Sequence, residues 1–192
     1  MNKIEEYYKN TQNALAHKNV LEFMDIQKNT GKAIDIGCGA GRDTIYLVKN
    51  GWYVIATDKE DTKQIIASKL NDKELERLKF VQSDFENIKL EKNNLVIANY
   101  SLTFCNKNKF QEFWNKIVNS IEKDGYFVGN FFGKNDEWNT EDSKLIFLDK
   151  KEVEELFNNF EILKFEEEEK DAKTGLGVMK HWHIYNIIAR KK

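Results

Sequence analysis

The sequence predicts an α/β protein with a doubly wound, mostly parallel sheet of seven strands that ends in an antiparallel pair. Short apolar segments alternate with helical segments for five rounds, which is typical of parallel strands joined by crossover helices. Residues 95–98 are apolar without interruption, as expected for a strand that is buried on both faces. The last two strands follow each other without a helix, so we expect them to pair antiparallel.

Each element follows from the periodicity of apolar residues or from a boundary signal. Residues 1–29 repeat apolar side chains at helical spacing, with a break near Lys18 and with Asn19 as the expected N-cap of a second helix. Asp149 and Glu152 have the spacing of a capping box at the start of the last helix. The predicted strands cover residues 33–36, 53–58, 78–85, 95–98, 126–132, 160–169 and 181–190. The other predicted helices cover about residues 42–50, 60–73, 110–121 and 149–157.

Composition and charge restrict the classes of function. The 192 residues are 41% hydrophobic and 32% charged, which fits a globular domain and excludes a disordered chain. The net charge is −2, and only 3 of the 30 basic residues are arginines, so the basic surplus of a nucleic-acid binder is missing. We expect one domain over residues 1–192, in which 1–29 form a helical cap on a core of 30–192. Its partner is expected to be a small molecule rather than a nucleic acid, and its assembly a monomer or homodimer.

The two cysteines, Cys38 and Cys105, have no spacing typical of a metal site or of a disulfide framework. The first ten residues carry charges and lack the apolar core of a signal peptide. No window approaches the ~20 apolar residues of a membrane span. These observations predict a cytoplasmic protein with reduced thiols, no metal and no membrane association.

A glycine-rich turn stands between the first strand and the helix after it, with the sequence Asp35-Ile36-Gly37-Cys38-Gly39-Ala40-Gly41-Arg42. Glycine permits a tight turn and lets a ligand approach the backbone N–H groups closely. A dinucleotide-binding G-x-G-x-x-G motif would need glycine at position 42, and a P-loop would need a following G-K-[ST]. Since neither motif is present, the segment predicts another phosphate- or carboxylate-binding loop.

The second strand ends with Asp58, which follows Gly41 by 17 residues. At this place in a doubly wound sheet, an acidic side chain faces the ribose of a bound nucleoside, and its two oxygens accept hydrogen bonds from both hydroxyl groups. An aspartate at a strand end is by itself more often a turn former. The glycine-rich loop at this spacing favours ribose binding.

Together these residues resemble the class I S-adenosylmethionine-dependent methyltransferases, and the resemblance extends over nearly the whole chain. The loop at 35–41 matches their first motif, Asp58 matches their ribose acid, and residues 83–85 match the acidic position that meets the adenine. Residues 99–101 lie where the fourth motif ends its strand. Segments 39–43, 131–133 and 180–183 are most similar to those of the small bacterial tellurite-resistance-type and thiopurine-type enzymes. The resemblance implies a Rossmann-like fold.

The resemblance also implies S-adenosylmethionine as cofactor, S-adenosylhomocysteine as its product, and no metal. It places the methionyl carboxylate against the N–H groups of loop 37–41, with a charge-assisted contact from Arg42. It places the ribose on Asp58, and the adenine between Lys59 and the pair Asp84-Phe85. The predicted cofactor-binding residues are Asp35, Gly37, Cys38, Gly39, Gly41, Arg42, Asp58, Lys59, Asp84, Phe85, Asn99, Tyr100 and Leu102.

The implied reaction is in-line methyl transfer to a small acceptor with a soft or heteroatom nucleophile. The catalytic residues stay open. His181 and His183 share one face of the last strand, where each is either a general base or a satisfied polar residue. Tyr8 is a third candidate, and together with Tyr7 it either closes over the cofactor as a lid or only packs its helix. His17 is predicted to lie at the surface.

Two further features bear on the acceptor. Trp138 and Phe104 either roof the acceptor pocket or belong to the core. The segment 99–102 has neither the Pro-Pro-aromatic nor the Pro-Cys motif of enzymes that methylate DNA, and the sequence contains no proline. This disfavours nucleic-acid methylation. The alternatives are a methylator of a protein or nucleic acid, and a protein that binds S-adenosylmethionine without catalysis.

Overall fold

The computed structural model describes residues 3–192, and its centre is a seven-stranded sheet in the order β3-β2-β1-β4-β5-β7-β6. Strands β1 to β5 run parallel, and β7 pairs antiparallel with both β5 and β6. The strands are β1 (Lys32–Ile36), β2 (Tyr53–Asp58), β3 (Leu78–Gln82), β4 (Asn93–Ala98), β5 (Ile121–Phe132), β6 (Phe160–Lys173) and β7 (Met179–Lys191). The predicted fold class, including the antiparallel C-terminal pair, is confirmed.

Helices cover both faces of the sheet. They are α1 (Lys3–Thr11), α2 (Lys18–Ile26), α3 (Arg42–Lys49), α4 (Lys63–Ala67), α5 (Asp72–Leu75), α6 (Phe110–Ser120) and α7 (Lys150–Leu156), with a short 3₁₀ turn at Leu102–Phe104. The predicted capping box of α7 is present: the Glu152 N–H donates to Asp149 Oδ1 over 2.9 Å, and Glu152 Oε2 accepts from the Asp149 N–H over 2.7 Å. None of the helices in residues 3–192 has the length and apolar character needed to cross a membrane.

Three local predictions need correction. The single helix expected over 60–73 is two short helices, because Asn71 caps a new helix in a capping box with Glu74. The third strand ends at Gln82, so residues 83–85 follow it in an irregular segment. Asn19 is not the N-cap of α2, because His17 occupies that position and Asn19 is buried inside the helix.

The core consists of two main layers, one on each face of the sheet, because successive strand residues point to opposite faces. On one face, Leu95 and Ile97 of β4 pack with Phe23 of α2 and Leu47 of α3. On the other face, the alternate β4 residues join α6 and α7 in a cluster that is rich in phenylalanine. Both faces are therefore closed by helices, and the ends of the strands are what remains available for a ligand.

Candidate active site

Three neighbouring strands end at the same edge of the sheet and open into a cleft of about 1450 Å³. β1 lies between β2 and β4, and the residues at the ends of these strands are Gly37, Asp58 and Asn99. The strand order reverses between β1 and β4, which is where doubly wound sheets bind ligands. The volume exceeds the roughly 300–1,000 Å³ of a pocket for one small molecule, so the cleft has room for two.

The loop between β1 and α3 has backbone conformations that favour glycine. The φ angle is +71° at Gly37 and +55° at Gly39. A Cβ atom at Gly37 would lie 2.5 Å from Ser101 Cβ, so glycine is needed there for close packing against the segment after β4. At Gly39 the Tyr8 ring alone, among residues 3–192, would come within 4 Å of a Cβ, at 3.6 Å. The Gly39 backbone is therefore open to a ligand beneath Tyr8.

Four of the five loop N–H groups are already bonded within the protein. Those of Gly37 and Cys38 donate to the Thr57 carbonyl over 2.8 and 2.9 Å, that of Gly39 to Asp58 Oδ2 over 2.8 Å, and that of Gly41 to the Cys38 carbonyl over 2.9 Å. The prediction that these N–H groups point at a methionyl carboxylate is therefore wrong for these four. Their bonds fix the loop against β2 instead.

Asp58 lies at the centre of the cleft's hydrogen bonds, with 9% of its surface exposed. Its Oδ1 accepts from the Tyr8 hydroxyl and from the Glu60 N–H, both over 3.0 Å, while Oδ2 accepts from Gly39. Burial and the Asp58 charge raise the pKa of Tyr8, so that hydroxyl keeps its proton and remains a donor. A ribose hydroxyl that donates to Asp58 Oδ1 would have to share this oxygen with the Tyr8 hydroxyl or displace it.

The segment after β3 lines the same end of the cleft. Asp84 is exposed, and its carboxylate accepts from the backbone and side-chain nitrogens of Asn87 over 2.8 to 3.0 Å. Phe85 is half-buried and packs against Phe113 with a centroid distance of 5.4 Å. Lys59 is exposed, and its carbonyl accepts from Gln82. This segment presents an aromatic ring and a carboxylate beside Asp58.

Two aspartates are fully buried behind the loop. Burial raises the pKa of Asp35 to about 8, and the Asp43 charge adds to the shift, although the Thr44 hydroxyl donates to Asp35 over 2.6 Å. Burial would also raise the pKa of Asp43, but the charge and hydrogen bonds of His17 lower it below its ordinary value. Asp43 is therefore the ionised member of the pair.

Asp43 joins the start of α2 to the end of β4, a role for which the sequence contains no signal. Its carboxylate accepts from the His17 N–H over 2.8 Å, pairs with His17 Nδ1 at 2.7 Å and accepts from the Asn99 side chain over 2.8 Å. Asn19 donates to Asn99 Oδ1 over 2.6 Å. The prediction that His17 lies at the surface is wrong, because only 21% of its side chain is exposed and it lines the cleft beside Tyr100.

Five aromatic residues line the opposite end of the cleft, and we call them the aromatic wall: Tyr100, Phe104, Phe132, Trp138 and Trp182. Tyr100 has a φ angle of +52°, which is uncommon for a residue other than glycine. Its N–H donates to Asn130 Oδ1 over 2.8 Å, which holds the backbone in this conformation. Trp138 and Phe104 thus line the cleft, one of the two placements that their positions in the sequence left open.

Helix α1 and the β6–β7 turn cover the cleft together. Asn10 donates to the Gly175 carbonyl over 3.2 Å, and a Cβ atom at Gly175 would lie 2.4 Å from the Tyr7 ring. None of the described residues of α1 is buried. The placement of Tyr8 over Gly39 and Asp58, with Tyr7 against the β6–β7 turn, supports the lid interpretation over simple helix packing.

Four residues predicted for the site do not line the cleft: Gly41, Leu102, His181 and His183. Gly41 packs against Ile66, and Leu102 is fully buried in the core. Of the two interpretations of His181 and His183, the structure favours satisfied polar residues, because both side chains are directed towards carboxylates of β6. His181 is partly exposed between Glu169 and Asp171, and hydrogen bonds to those carboxylates raise its pKa.

His183 has a structural role, in which it contacts the other segment, 131–133, that resembles the tellurite-resistance-type enzymes. Its Nε2 lies 3.0 Å from Glu167 Oε1, and its Nδ1 accepts from the Asn135 N–H over 3.1 Å. A Cβ atom at Gly133 would lie 2.2 Å from the His183 ring, so glycine is needed there. Residues 131–133 and 180–183 are therefore neighbours in the fold.

Two other kinds of chemistry are relevant to the cleft, a reactive thiol and a metal site. Burial raises the pKa of the Cys38 thiol, so this residue is a small apolar part of the loop rather than a nucleophile. No group of three or more metal-ligating side chains occurs in residues 3–192.

Several solved structures share the fold. TehB from Haemophilus influenzae superposes with a TM-score of 0.75 at 21% identity, over 92% of this chain and 62% of that chain. The present chain thus spans less than two thirds of that protein. A 1,6-didemethyltoxoflavin-N1-methyltransferase from Burkholderia thailandensis, with its acceptor and S-adenosylhomocysteine bound, has a TM-score of 0.71 at 19% identity, over 95% of this chain and 80% of its own. A methyltransferase from Methanosarcina mazei has a TM-score of 0.66 at 17% identity, over 88% and 96%.

No curated protein is detectably similar to the chain in sequence. Residues 1–175, most of the chain, match the family described as tellurite resistance protein TehB. The chain belongs to this TehB family, which confirms its predicted resemblance to class I S-adenosylmethionine-dependent methyltransferases of the tellurite-resistance type.

Proposed function

We propose that the chain transfers a methyl group from S-adenosylmethionine to a small acceptor with a soft or heteroatom nucleophile. The observation that carries the proposal is the meeting of Gly39, Asp58 and Phe85 at one end of a cleft whose other end is aromatic. These residues fit a nucleoside: a carboxylate for the ribose hydroxyls, a ring for the adenine, and a glycine backbone open to the ligand.

A second observation supports the fit. Ser101 Oγ is buried beside Gly37, lines the cleft, and has no hydrogen-bond partner among residues 3–192. Buried hydroxyl groups are usually bonded, so this atom is suited to a ligand. Since four loop N–H groups are bonded internally, the carboxylate of the cofactor would depend more on Arg42 and His17, which also line the cleft.

The chain's contribution to the reaction is to bind and align. Bound S-adenosylmethionine supplies an electrophilic methyl group on a sulfonium. Asp58 and the loop would orient the nucleoside, Asn99 and Tyr100 would face the methyl group from the end of β4, and α1 would exclude water. Soft nucleophiles need little deprotonation at neutral pH, so alignment accounts for most of the expected acceleration.

The test begins with calorimetric titration of S-adenosylmethionine, which should show one site per chain. Labelled cofactor is then offered with thiols, selenite, tellurite, phenols and amines. Methyl transfer to at least one of these is expected. Binding of NAD in place of S-adenosylmethionine would contradict the cofactor, transfer only to protein or nucleic acid would contradict the acceptor class, and tight binding without any transfer would favour a non-catalytic protein.

The domain limits of 1–192, with 1–29 as a cap, belong to this proposal. Cytoplasmic location, the absence of a nucleic-acid partner and a monomer or homodimer remain predictions from the sequence.

A further inference from the structure

The aromatic wall brings together rings from distant parts of the chain. Tyr100 follows β4, Phe104 ends the 3₁₀ turn, Phe132 ends β5, Trp138 lies in the loop after β5, and Trp182 belongs to β7. Neighbouring ring centroids are 5.6 Å apart for Tyr100–Trp182 and for Phe132–Trp182, 6.0 Å for Phe132–Trp138 and 6.5 Å for Phe104–Trp138. The rings therefore form one continuous surface at one end of the cleft.

Two rings of the wall are exposed at the cleft mouth. Phe104 has 53% of its surface exposed, and Trp138 has 36%. Large apolar side chains that meet at the rim of a cleft mark a binding surface, because leaving them in water opposes folding. An occupant that covers these rings removes that penalty.

A buried ion pair holds Trp138 in place. Asp136 Oδ1 accepts from the Trp138 N–H over 3.0 Å, while Oδ2 contacts Lys180 Nζ at 2.5 Å and accepts from the His183 N–H over 3.3 Å. The side chains of Asp136 and Lys180 are 0% and 2% exposed. A buried ion pair contributes little net stability, so its effect here is to specify the position of the loop and of its tryptophan.

The same lysine places a cation against the wall. Lys180 Nζ lies 3.7 Å from the Trp182 ring centroid, 4.4 Å from that of Trp138 and 5.2 Å from that of Phe132. Lys180 is buried and does not line the cleft, so the cation lies on the side of the rings away from the cleft. The ammonium is attracted by the electron-rich faces of these rings, which helps to hold the three rings in one surface.

Charged side chains of both signs line the cleft. Asp58, Glu60 and Asp84 line the cofactor end together with Arg42 and Lys59. Lysines lie beside the aromatic wall: Lys170 is opposite Trp182 in the strand pair and forms an ion pair with Glu168, and Lys107 donates to the Ser143 carbonyl in the loop that carries Trp138. Lys144 of the same loop also lines the cleft. These lysines favour a negatively charged ligand at the aromatic end.

We propose that the aromatic wall is the acceptor subsite and that it takes a planar aromatic molecule carrying a negative charge. This inference rests on the proposed methyl transfer and narrows its acceptor class. A small inorganic oxyanion is bound by converging N–H donors or guanidinium groups, whereas this end of the cleft offers aromatic ring faces with lysines beside them. Tellurite is therefore not expected to occupy it.

The test measures binding to the S-adenosylhomocysteine complex by calorimetry, with three probes that differ in one property each. 2-Naphthoate is planar and anionic, 2-naphthamide is planar and neutral, and decahydro-2-naphthoate is anionic and not planar. We expect 2-naphthoate to bind about tenfold more tightly than decahydro-2-naphthoate, and several-fold more tightly than 2-naphthamide. Potassium tellurite should not displace it.

The matched variants are Trp138→Leu and Phe104→Leu, both at exposed positions that a folded protein tolerates, with Tyr53→Leu as control. Tyr53 is 59% exposed and lies outside the cleft. Each wall variant should lower the affinity for 2-naphthoate about three- to tenfold, with unchanged affinity for S-adenosylhomocysteine, and the control should change neither.

Equal binding of the planar and saturated anions, no detectable binding of 2-naphthoate, unchanged binding in both wall variants, or displacement by tellurite would each overturn the aromatic subsite. Equal binding of 2-naphthoate and 2-naphthamide would overturn its preference for an anion. The titrations are repeated without S-adenosylhomocysteine. Failure of S-adenosylhomocysteine itself to bind would contradict the proposed function, and the naphthoate comparison on the free protein would then still decide whether the wall binds planar anions.

Discussion

The two ends of the cleft are built in different ways. At the cofactor end, residues 35–42 form one continuous segment, and Asp58 stands at a fixed distance along the chain. At the aromatic end, five rings come from three stretches of the chain, residues 100–104, 132–138 and 182, and the lysine of a buried ion pair contacts three of these rings. The cofactor end is built from a local sequence motif on the parallel sheet, whereas the aromatic end is assembled from residues that only folding brings together. We therefore expect substitutions in the motif to act on cofactor binding, and substitutions in the wall to act on the acceptor alone.

The largest effect is expected for Gly39→Val. A branched side chain at φ +55° would strain the loop and would fill the space beneath Tyr8 that a ligand must enter. We expect S-adenosylhomocysteine binding to fall more than about 100-fold, since strain of about 1–3 kcal/mol adds to the steric block. Calorimetry measures the affinity.

Gly51→Val is the matched control, because Gly51 lies between α3 and β2, has a φ angle of +90°, and a Cβ atom placed on it would lie 3.4 Å from Thr30 Cγ2. It adds similar backbone strain outside the cleft and should bind the cofactor normally. If both variants bind normally, the loop is not the cofactor site. If both lose binding equally, strain rather than position is responsible.

The next effect concerns His17, which lies between the two ends and joins them through Asp43. His17→Ala removes the main partner of a buried carboxylate, and we expect the free energy of unfolding to fall by about 3 kcal/mol at pH 7. Asp43 has a lowered pKa in the folded state, so its contribution to stability is present above its unfolded pKa and is lost as the pH falls through the lower folded value.

The measurement is urea unfolding of both proteins in steps from pH 7 down to pH 2, below the ordinary aspartate pKa of 3.8. The difference between wild type and His17→Ala should be largest at pH 7 and smallest at pH 2, where protonation of Asp43 removes the advantage in wild type as well. A difference that is the same at every pH would mean that the pair contributes packing and not charge. Leu15→Ala is the control, because this side chain is 81% exposed, lies outside the cleft and does not titrate.

The contacts of His17 and of Trp138 mark the limit of what the sequence could predict. The alternating pattern predicts a mostly parallel sheet, and the glycine spacing predicts the loop, because both depend on residues close together in the chain. His17 and Asp43 are 26 positions apart, and Trp138 and Lys180 are 42 apart. Nothing in a single sequence indicates which polar residues will share a bond across such distances, so the sequence alone predicts a surface position for His17.

The last strand is a case in which the sequence left two alternatives open. His181 and His183 are close to the expected site in the pattern of the family, and their alternation predicts a common face. The register with β6 places Asp171 and Glu169 directly opposite them, and this pairing turns the imidazoles away from the cleft. Register between strands is set by tertiary packing, which the sequence pattern determines only in part.

A smaller effect is expected for Asp58→Ala, which should weaken S-adenosylhomocysteine by about 1.5–3 kcal/mol, the range for hydrogen bonds to a charged group. The loss should appear in calorimetry as a lower affinity with one site retained. Binding of 2-naphthoate to the free variant should be unchanged, because Asp58 is at the other end of the cleft. An unchanged affinity for S-adenosylhomocysteine would show that the ribose is held elsewhere.

The smallest effect, and the one with the opposite sign, is expected for Tyr8→Phe. In the folded chain the Tyr8 hydroxyl donates to Asp58 Oδ1 over 3.0 Å, at the oxygen that a ribose hydroxyl needs. The wild-type protein must give up that bond when a nucleoside binds, whereas the variant does not, and its phenyl ring still covers Gly39. We expect S-adenosylhomocysteine to bind more tightly by about 0.5–1.5 kcal/mol, the net value of one such hydrogen bond.

Weaker binding would mean that the hydroxyl bonds to the ligand after closure, and Tyr8 would then be part of the binding site rather than a competitor for Asp58. The double variant Tyr8→Phe with Asp58→Ala separates the two cases, because competition requires that the benefit of Tyr8→Phe disappear once Asp58 is absent.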